Sequence, residues 1–254
     1  FGSTQPAPLV SVTGSYNTQV LYAKGTKFSS TGGFDQSGNA YDYEAVQEVI
    51  RQSPYAWAMG SEGTNNAWRS LGQTLMLPAY VAPEAGSFLN LLGATSYGPQ
   101  TVSFTLNYTD GSSETWTQTF SDWWNAGTQD GSKQTELKKG ELIQGSMDHL
   151  VESDGTSKVV AANDQVINLY SYTYPLTFGK KLLSISLPNN QHVVLLAANV
   201  TSDVIPYNTT GAVPSGTAFW RNSGFDGVGN AYDAAALQVA LSSSTLWHLQ
   251  PGPL

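Results

Sequence analysis

The sequence predicts an all-β fold, an antiparallel β-sandwich with one short helix in each of two repeats. Three observations carry that expectation. Short segments alternate apolar and polar residues at the two-residue period of a strand. Glycine supplies 25 of the 254 residues and punctuates those segments. Stretches with a helical period are few and short, and many short strands with Gly-rich turns read as a sandwich.

The elements follow in chain order. Glu44–Arg51 is predicted as a helix, because Ala45, Val46, Val49 and Ile50 share one face. Asp42 stands where a side-chain oxygen can accept the free amides of its first turn. Val102–Tyr108 and Glu114–Phe120 are predicted strands, joined at Thr109-Asp110-Gly111-Ser112 by an Asp-Gly hairpin turn. Val166–Tyr172, Leu182–Leu187 and Val193–Val200 follow as strands, the last an apolar run that reads as buried on both faces. Pro188-Asn189-Asn190 is the expected turn between the last two. Asp233 with Ala236, Leu237 and Ala240 repeats the capped-helix pattern.

That repetition is general. Residues 15–46 align without gaps to residues 206–237, an offset of 191, and nearly half of the positions are identical. Tyr16-Asn17-Thr18 returns as Tyr207-Asn208-Thr209, and Phe34-Asp35 as Phe225-Asp226. Gly38-Asn39-Ala40-Tyr41-Asp42 returns as Gly229-Asn230-Ala231-Tyr232-Asp233. The period has the size of a domain and is too long for a solenoid. The expected organisation is a complete module over 8–201 and the opening of a second, homologous one over 202–254, with the parent protein continuing beyond Leu254. The alternative is a single fold that uses one strand-turn-helix piece twice.

Composition narrows the function. Charged residues make up only 12%, with Lys+Arg 11 against Asp+Glu 19 and a net charge of −8. Without a basic patch to neutralise phosphates, nucleic acid is not an expected partner. Apolar runs such as Val193–Ala198 are far too short to span a bilayer. Cysteine is absent, which excludes disulfides, zinc–cysteine sites and a thiol nucleophile. Low charge, abundant Ser, Thr, Asn and Tyr, and no Cys lead to the expectation of a secreted, extracellular prokaryotic protein.

Several motifs together resemble one family. Gly33-Phe34-Asp35-Gln36-Ser37-Gly38-Asn39-Ala40-Tyr41 and Gly72-Gln73-Thr74-Leu75-Met76-Leu77-Pro78 come first. Tyr108-Thr109-Asp110-Gly111-Ser112, Phe120-Ser121-Asp122-Trp123 and Leu187-Pro188-Asn189-Asn190 follow in order. The run resembles the galactose-binding-like, carbohydrate-binding type of accessory β-sandwich found beside catalytic domains in secreted bacterial glycoside hydrolases. The resemblance covers 8–201 and implies a jelly-roll fold and a non-catalytic sugar-binding role. Two features depart from it. Glu136–Asp164 is longer and more charged than such modules have, and the second copy is incomplete.

The aromatic residues Trp68, Tyr97, Trp116, Trp123 and Trp124 are candidates for stacking on sugar rings, with Asp122 and Asn125 beside them to take hydroxyls. Trp123 and Trp124 are adjacent, so on a strand they face opposite ways and one of them serves the core. Trp116 alternates cleanly and reads as core. Asp35, Asn39 and Asp42 place side-chain oxygens around Gly38, as do Asp226, Asn230 and Asp233 in the second copy. Two readings stand for these six. One is a structural calcium ion, which the resembled class often carries and which takes six to eight oxygens. The other is a hydrogen-bonded turn leading into the helix.

Catalysis has little support: no nucleophile elbow, zinc-protease helix or phosphate loop occurs. His149, His192 and His248 read as surface residues. Glu136, Glu141, Asp148, Glu152 and Asp154 could hold a glycosidase acid pair, but interspersed lysines make a solvated charged loop the plainer expectation. The leading hypothesis is therefore a carbohydrate-binding-like module with a polysaccharide or glycan partner. A structural or adhesive repeat, associating through strand edges with a neighbouring module or chain that covers 202–254, is the alternative. A fragment of a glycoside hydrolase is the third.

Overall fold

The computed structural model describes residues 10–12, 15–53, 57–77, 88–124, 137–160 and 165–201. The second repeat, 202–254, lies outside the described residues, so the expected boundary at 201/202 is not addressed by them. The strands are β1 Val10–Val12, β2 Leu21–Tyr22, β3 Asn39–Asp42, β4 Trp68–Leu71, β5 Thr74–Met76, β6 Phe88–Thr95, β7 Gln100–Tyr108 and β8 Ser113–Phe120. They continue as β9 Glu141–Met147, β10 His149–Glu152, β11 Ser157–Val159, β12 Ile167–Pro175, β13 Leu182–Ser186 and β14 Asn189–Thr201. One helix, α1, spans Tyr43–Gln52.

Two sheets form the sandwich. The larger runs β1-β14-β6-β12-β9, with β4 also paired to β14. The smaller runs β5-β13-β7-β8. The inward side chains of β7 and β8 alternate as expected: Phe104, Leu106, Trp116 and Phe120 are buried and the intervening Ser and Thr are not. Ring contacts close the interface, Phe120 on Tyr172 at 3.8 Å and Trp116 on Tyr174 at 5.1 Å. The all-β antiparallel sandwich and its helix are thus as the sequence predicts.

A third layer is not foreseen by the sequence. Sheet β11-β10-β3-β2, with its β2–β3 pair parallel, joins α1, which contacts both β3 and β9. Every residue of β6 is buried, as in a central strand covered on both faces. Phe34 and Tyr41 pack on Trp123 at 4.6 and 5.0 Å, and the Tyr41 hydroxyl donates to the Asn168 carbonyl at 2.6 Å. α1 rests on β9 where Gly145 leaves room for Val49, since a Cβ at 145 would lie 2.6 Å from the Val49 methyls.

The strands that follow residue 140 correct one expectation. Much of the charged segment 136–164 is strand, β9 to β11, and not a solvated loop. Glu141 within it is fully buried, with Ser121 and Lys138 amides donating to it at 3.2 and 2.8 Å. Burial pushes its carboxyl above the usual range.

The two main sheets are joined at a shared corner. β4 pairs with β14 in the large sheet, and their immediate neighbours in the chain, β5 and β13, pair in the small one. Both strands of this ribbon therefore switch sheets side by side, at Leu71–Gln73 and Leu187–Pro188. Gly72 takes φ +79 there, and its amide donates to the Pro188 carbonyl at 3.1 Å. The expected turn at Pro188 is thus a crossover between sheets. β1 pairs antiparallel with β14, Val10 opposite Val200. No described helix is long and apolar enough to cross a membrane.

Candidate functional site

Three segments meet at one end of the sandwich: the turn before β3, the link from β6 to β7, and a bulge in β14. Arg69 holds them. Its guanidinium is buried and donates to the Gln191 carbonyl at 2.8 Å and to the Gly33 and Phe34 carbonyls at 3.0 Å each. Burial lowers its pKa and the charge of Asp35 opposes that shift. The bulge arises because the β4 register steps from Asn190 to Val194, leaving Gln191, His192 and Val193 as extra residues.

Asp35 organises the turn. One carboxylate oxygen accepts the Ser37 amide at 2.8 Å and the Asn39 amide at 3.1 Å, and the other accepts the Asn39 side-chain amide at 2.7 Å. Gly33 and Gly38 supply the positive φ that such a tight loop requires. Asp42 caps α1, accepting the Ala45 amide at 3.0 Å, and its second oxygen faces His149 Nε2 at 3.3 Å. Of the three described members of the calcium set, Asp35 and Asp42 are therefore engaged by N–H donors and a ring nitrogen, Asn39 is itself a donor to Asp35, and a guanidinium lies near Asp35. That donor environment does not fit a calcium cage, and among the described residues no three His, Asp or Glu side chains come together as a metal set. Asp226, Asn230 and Asp233 lie outside the described residues.

The aromatic candidates separate sharply. Trp68 is fully buried against Tyr16, with ring centroids 4.4 Å apart. Trp123 is buried between Phe34 and Tyr41, and Trp116 between the sheets. None of these three presents a face to a ligand. Trp124 is half-buried, its indole N–H donates to Gln165 at 3.1 Å, and Lys158 Nζ sits over its ring at 5.4 Å. Asn125 lies outside the described residues.

Tyr97 alone among the aromatic candidates is open, with 62% of its surface exposed. It stands on a left-handed backbone, φ +61, beside Gly98 at φ +93. A bulky residue in that region is an outlier that its surroundings must hold in place. The surroundings do so. The Ser96 amide donates to the His192 carbonyl at 3.0 Å, and Thr95 Oγ1 donates to the Gly98 carbonyl at 2.9 Å. Asp122 accepts the Gly98 amide and, at 2.8 Å, the Trp124 amide. Burial and then the nearby Asp35 raise the Asp122 pKa, against the pull of those two amides. The Tyr97 hydroxyl contacts that of Ser37, and its ring meets His192 edge-on at 5.3 Å.

The outcome is an exposed phenol ring with a hydroxyl and an imidazole beside it. Ser37, His192 and Arg69 are members that the sequence did not single out; only the Tyr97-Gly98-Pro99 turn and the position of His192 just after Pro188-Asn189-Asn190 hint at them. Ser96 Oγ lies 3.4 Å from His192 Nδ1, but Ser96 is buried and its hydroxyl is not presented as a nucleophile.

The acids are scattered. Glu141 is sealed in the core, Asp148 contacts His149 at 2.6 Å, Glu152 pairs with Lys158 at 3.1 Å, and Asp154 accepts within its own turn. Glu136 and His248 lie outside the described residues. Away from Tyr97, a depression of about 340 Å³ lies between α1 and β9–β10, lined by Ala45, Glu48, Val49, Met147, Asp148 and His149 among others. It has no aromatic wall. Asn-x-Thr sequences occur at Asn107, Asn199 and Asn208; Asn199 is buried, Asn107 is on the outer face of the small sheet, and Asn208 lies outside the described residues.

Comparison with protein families gives a match over residues 6–204 to the model of an AziU2-like beta-sandwich domain. Comparison with curated proteins gives no match.

Proposed function

The chain belongs to the AziU2-like β-sandwich family, and from that premise we propose that it is a non-catalytic, carbohydrate-binding-like module of a secreted multi-module protein, of the galactose-binding-like type. Its ligand is a polysaccharide or glycan, bound at the sandwich end around Tyr97. The observation that carries this reading is the Tyr97 ring, exposed on a strained left-handed turn and fixed by Ser37 and His192. Sugar C–H faces stack on such rings while neighbouring polar groups take hydroxyls. A solvent-exposed aromatic held at a backbone cost is a feature that core packing does not require. The uncharged, hydroxyl-rich composition supports a secreted setting.

The test is a glycan array read with the unaltered chain, Tyr97→Ala and His192→Ala, beside their thermal melts. Expected is binding by the unaltered chain, lost in Tyr97→Ala with an unchanged melt. Absence of any hit on a broad array sinks the sugar reading.

A second reading, association through strand edges, is favoured by β8. This eight-residue strand stands at the edge of the small sheet among the described residues and alternates Thr and Ser outward. Such an edge offers unpaired backbone groups to a neighbouring chain. Sedimentation that shows assembly, with Thr117→Pro preventing it, supports that reading.

A further inference from the structure

Several identities between the two repeats fall on residues that fasten segment 15–46 to the rest of the sandwich, and others on the turn within it. Asn17 forms a reciprocal pair with the Arg69 backbone, donating to its carbonyl at 2.9 Å and accepting its amide at 2.8 Å. Its counterpart is Asn208. Gly33 cannot carry a side chain, because a Cβ would lie 2.4 Å from the Asn39 carbonyl oxygen. Its counterpart is Gly224. Phe34 and Tyr41 fill the space around Trp123 and are retained as Phe225 and Tyr232. Ala40 pairs with Val151 of β10 where both are fully buried, and it is retained as Ala231.

Departures cluster elsewhere. Val20-Leu21-Tyr22 becomes Gly211-Ala212-Val213. In the first copy this stretch forms β2, whose strand partner is β3 of the same segment. The second copy therefore retains the residue types that meet the acceptor at Asn17, Phe34, Ala40 and Tyr41, and lacks the larger side chains of Val20 and Leu21, which in the first copy are buried in the main core with their amides donating to Asn66.

The tether has the right length. Val10 and Val200 are paired neighbours, so the two copies set out from one place. Tyr16 follows Val10 by six residues, and Tyr207 follows Val200 by seven. A span that six residues cover, seven also cover.

We propose that residues 206–237 are an alternative occupant of the place that residues 15–46 fill, against β4, β10 and Trp123, within the same chain or in a second copy of it. Exchange of like elements between like sites needs no new interface. Tethering raises the local concentration of the competing copy. The smaller residues at 211–213 make it the weaker competitor, so the first copy prevails until it is impaired. This inference is independent of any ligand at Tyr97.

The test uses the full chain, whose lack of cysteine makes a disulfide trap clean. Ala231→Cys with Val151→Cys reports exchange, and Ala40→Cys with Val151→Cys is the positive control. Expected is a weak cross-link for the reporter pair that rises several-fold when Tyr41→Ala is added. Intact mass under non-reducing conditions tells exchange within one chain from exchange between two. Melting supplies a second readout that does not depend on thiol geometry. Tyr41→Ala alone should lower the melting temperature only partly, Tyr232→Ala alone not at all, and the double variant by much more than the sum. No reporter cross-link in the Tyr41→Ala background, with the double variant melting like Tyr41→Ala alone, overturns the proposal.

Discussion

Asp35 and Tyr97 show how single side chains set this end of the molecule. Asp35 satisfies three N–H donors in one turn, so Asp35→Ala should cost about 1–3 kcal/mol through the donors it strands. Because that cost comes from hydrogen bonds and not from a cation, the loss should be the same with and without EDTA in a thermal melt. An EDTA-sensitive melt that Asp35→Ala abolishes is the outcome that restores calcium. Tyr97 lies at φ +61, where a Cβ is disfavoured and glycine is not. Tyr97→Gly should therefore be more stable than Tyr97→Ala by about 1 kcal/mol in denaturant unfolding, while both lose the exposed ring. The partner groups at this end were hard to read from sequence because they come from far apart. Ser37, Tyr97 and His192 meet only through a bulge and a crossover, and no local pattern encodes either. Tyr97 is legible because its ring type is informative. Trp68 and Trp123 looked equally informative and proved to be core, since indole is as useful for filling a sandwich as for stacking on a sugar.

Elements were more legible than contacts. The α1 cap, the Asp-Gly hairpin between β7 and β8, and the long buried β14 follow from local chemistry that tertiary context did not override. The helix runs one residue further at each end than its apolar face required. What could not be read was the layer β11-β10-β3-β2. Its strands are short, and its parallel pair joins residues brought together by a turn of unusual backbone. Charge in 136–164 conceals strands with buried apolar residues on both faces, Leu150 in the main core and Val151 in a small cluster with Tyr22 and Ala40. Two substitutions probe the α1 docking. Asp42→Ala should cost about 1 kcal/mol through the lost cap. Gly145→Ala forces a methyl into Val49 and should cost about 1–3 kcal/mol. Adding Val49→Ala should recover part of that loss, because the two changes share one space; simple additivity in urea melts would place the clash elsewhere.

For the whole molecule, the buried carboxylate at Glu141 ties stability to pH. Its folded-state pKa is raised by burial, so the folded chain binds its proton more tightly than the unfolded chain does. The stabilisation from that proton is complete in acid below the ordinary carboxylate range. It is lost as pH rises through the raised value. Glu141→Gln should flatten that part of the stability–pH curve, measured by chemical denaturation; an unaltered curve would assign the slope to another group. Truncation after residue 204, the end of the family match, should leave the sandwich folded, since segment 15–46 already fills its place. The β1–β14 pair has a mechanical meaning. With Val10 opposite Val200, the chain comes in and goes out side by side at one end of that pair. Tension applied through those two points meets the β1–β14 hydrogen bonds one after another, as a zip and not as a lap joint. A string of such modules under load should yield first by peeling β1, at low force, and lengthen by a few residues per module. The layered core behind it stays closed, and the peeled strand acts as a spring that spares the fold.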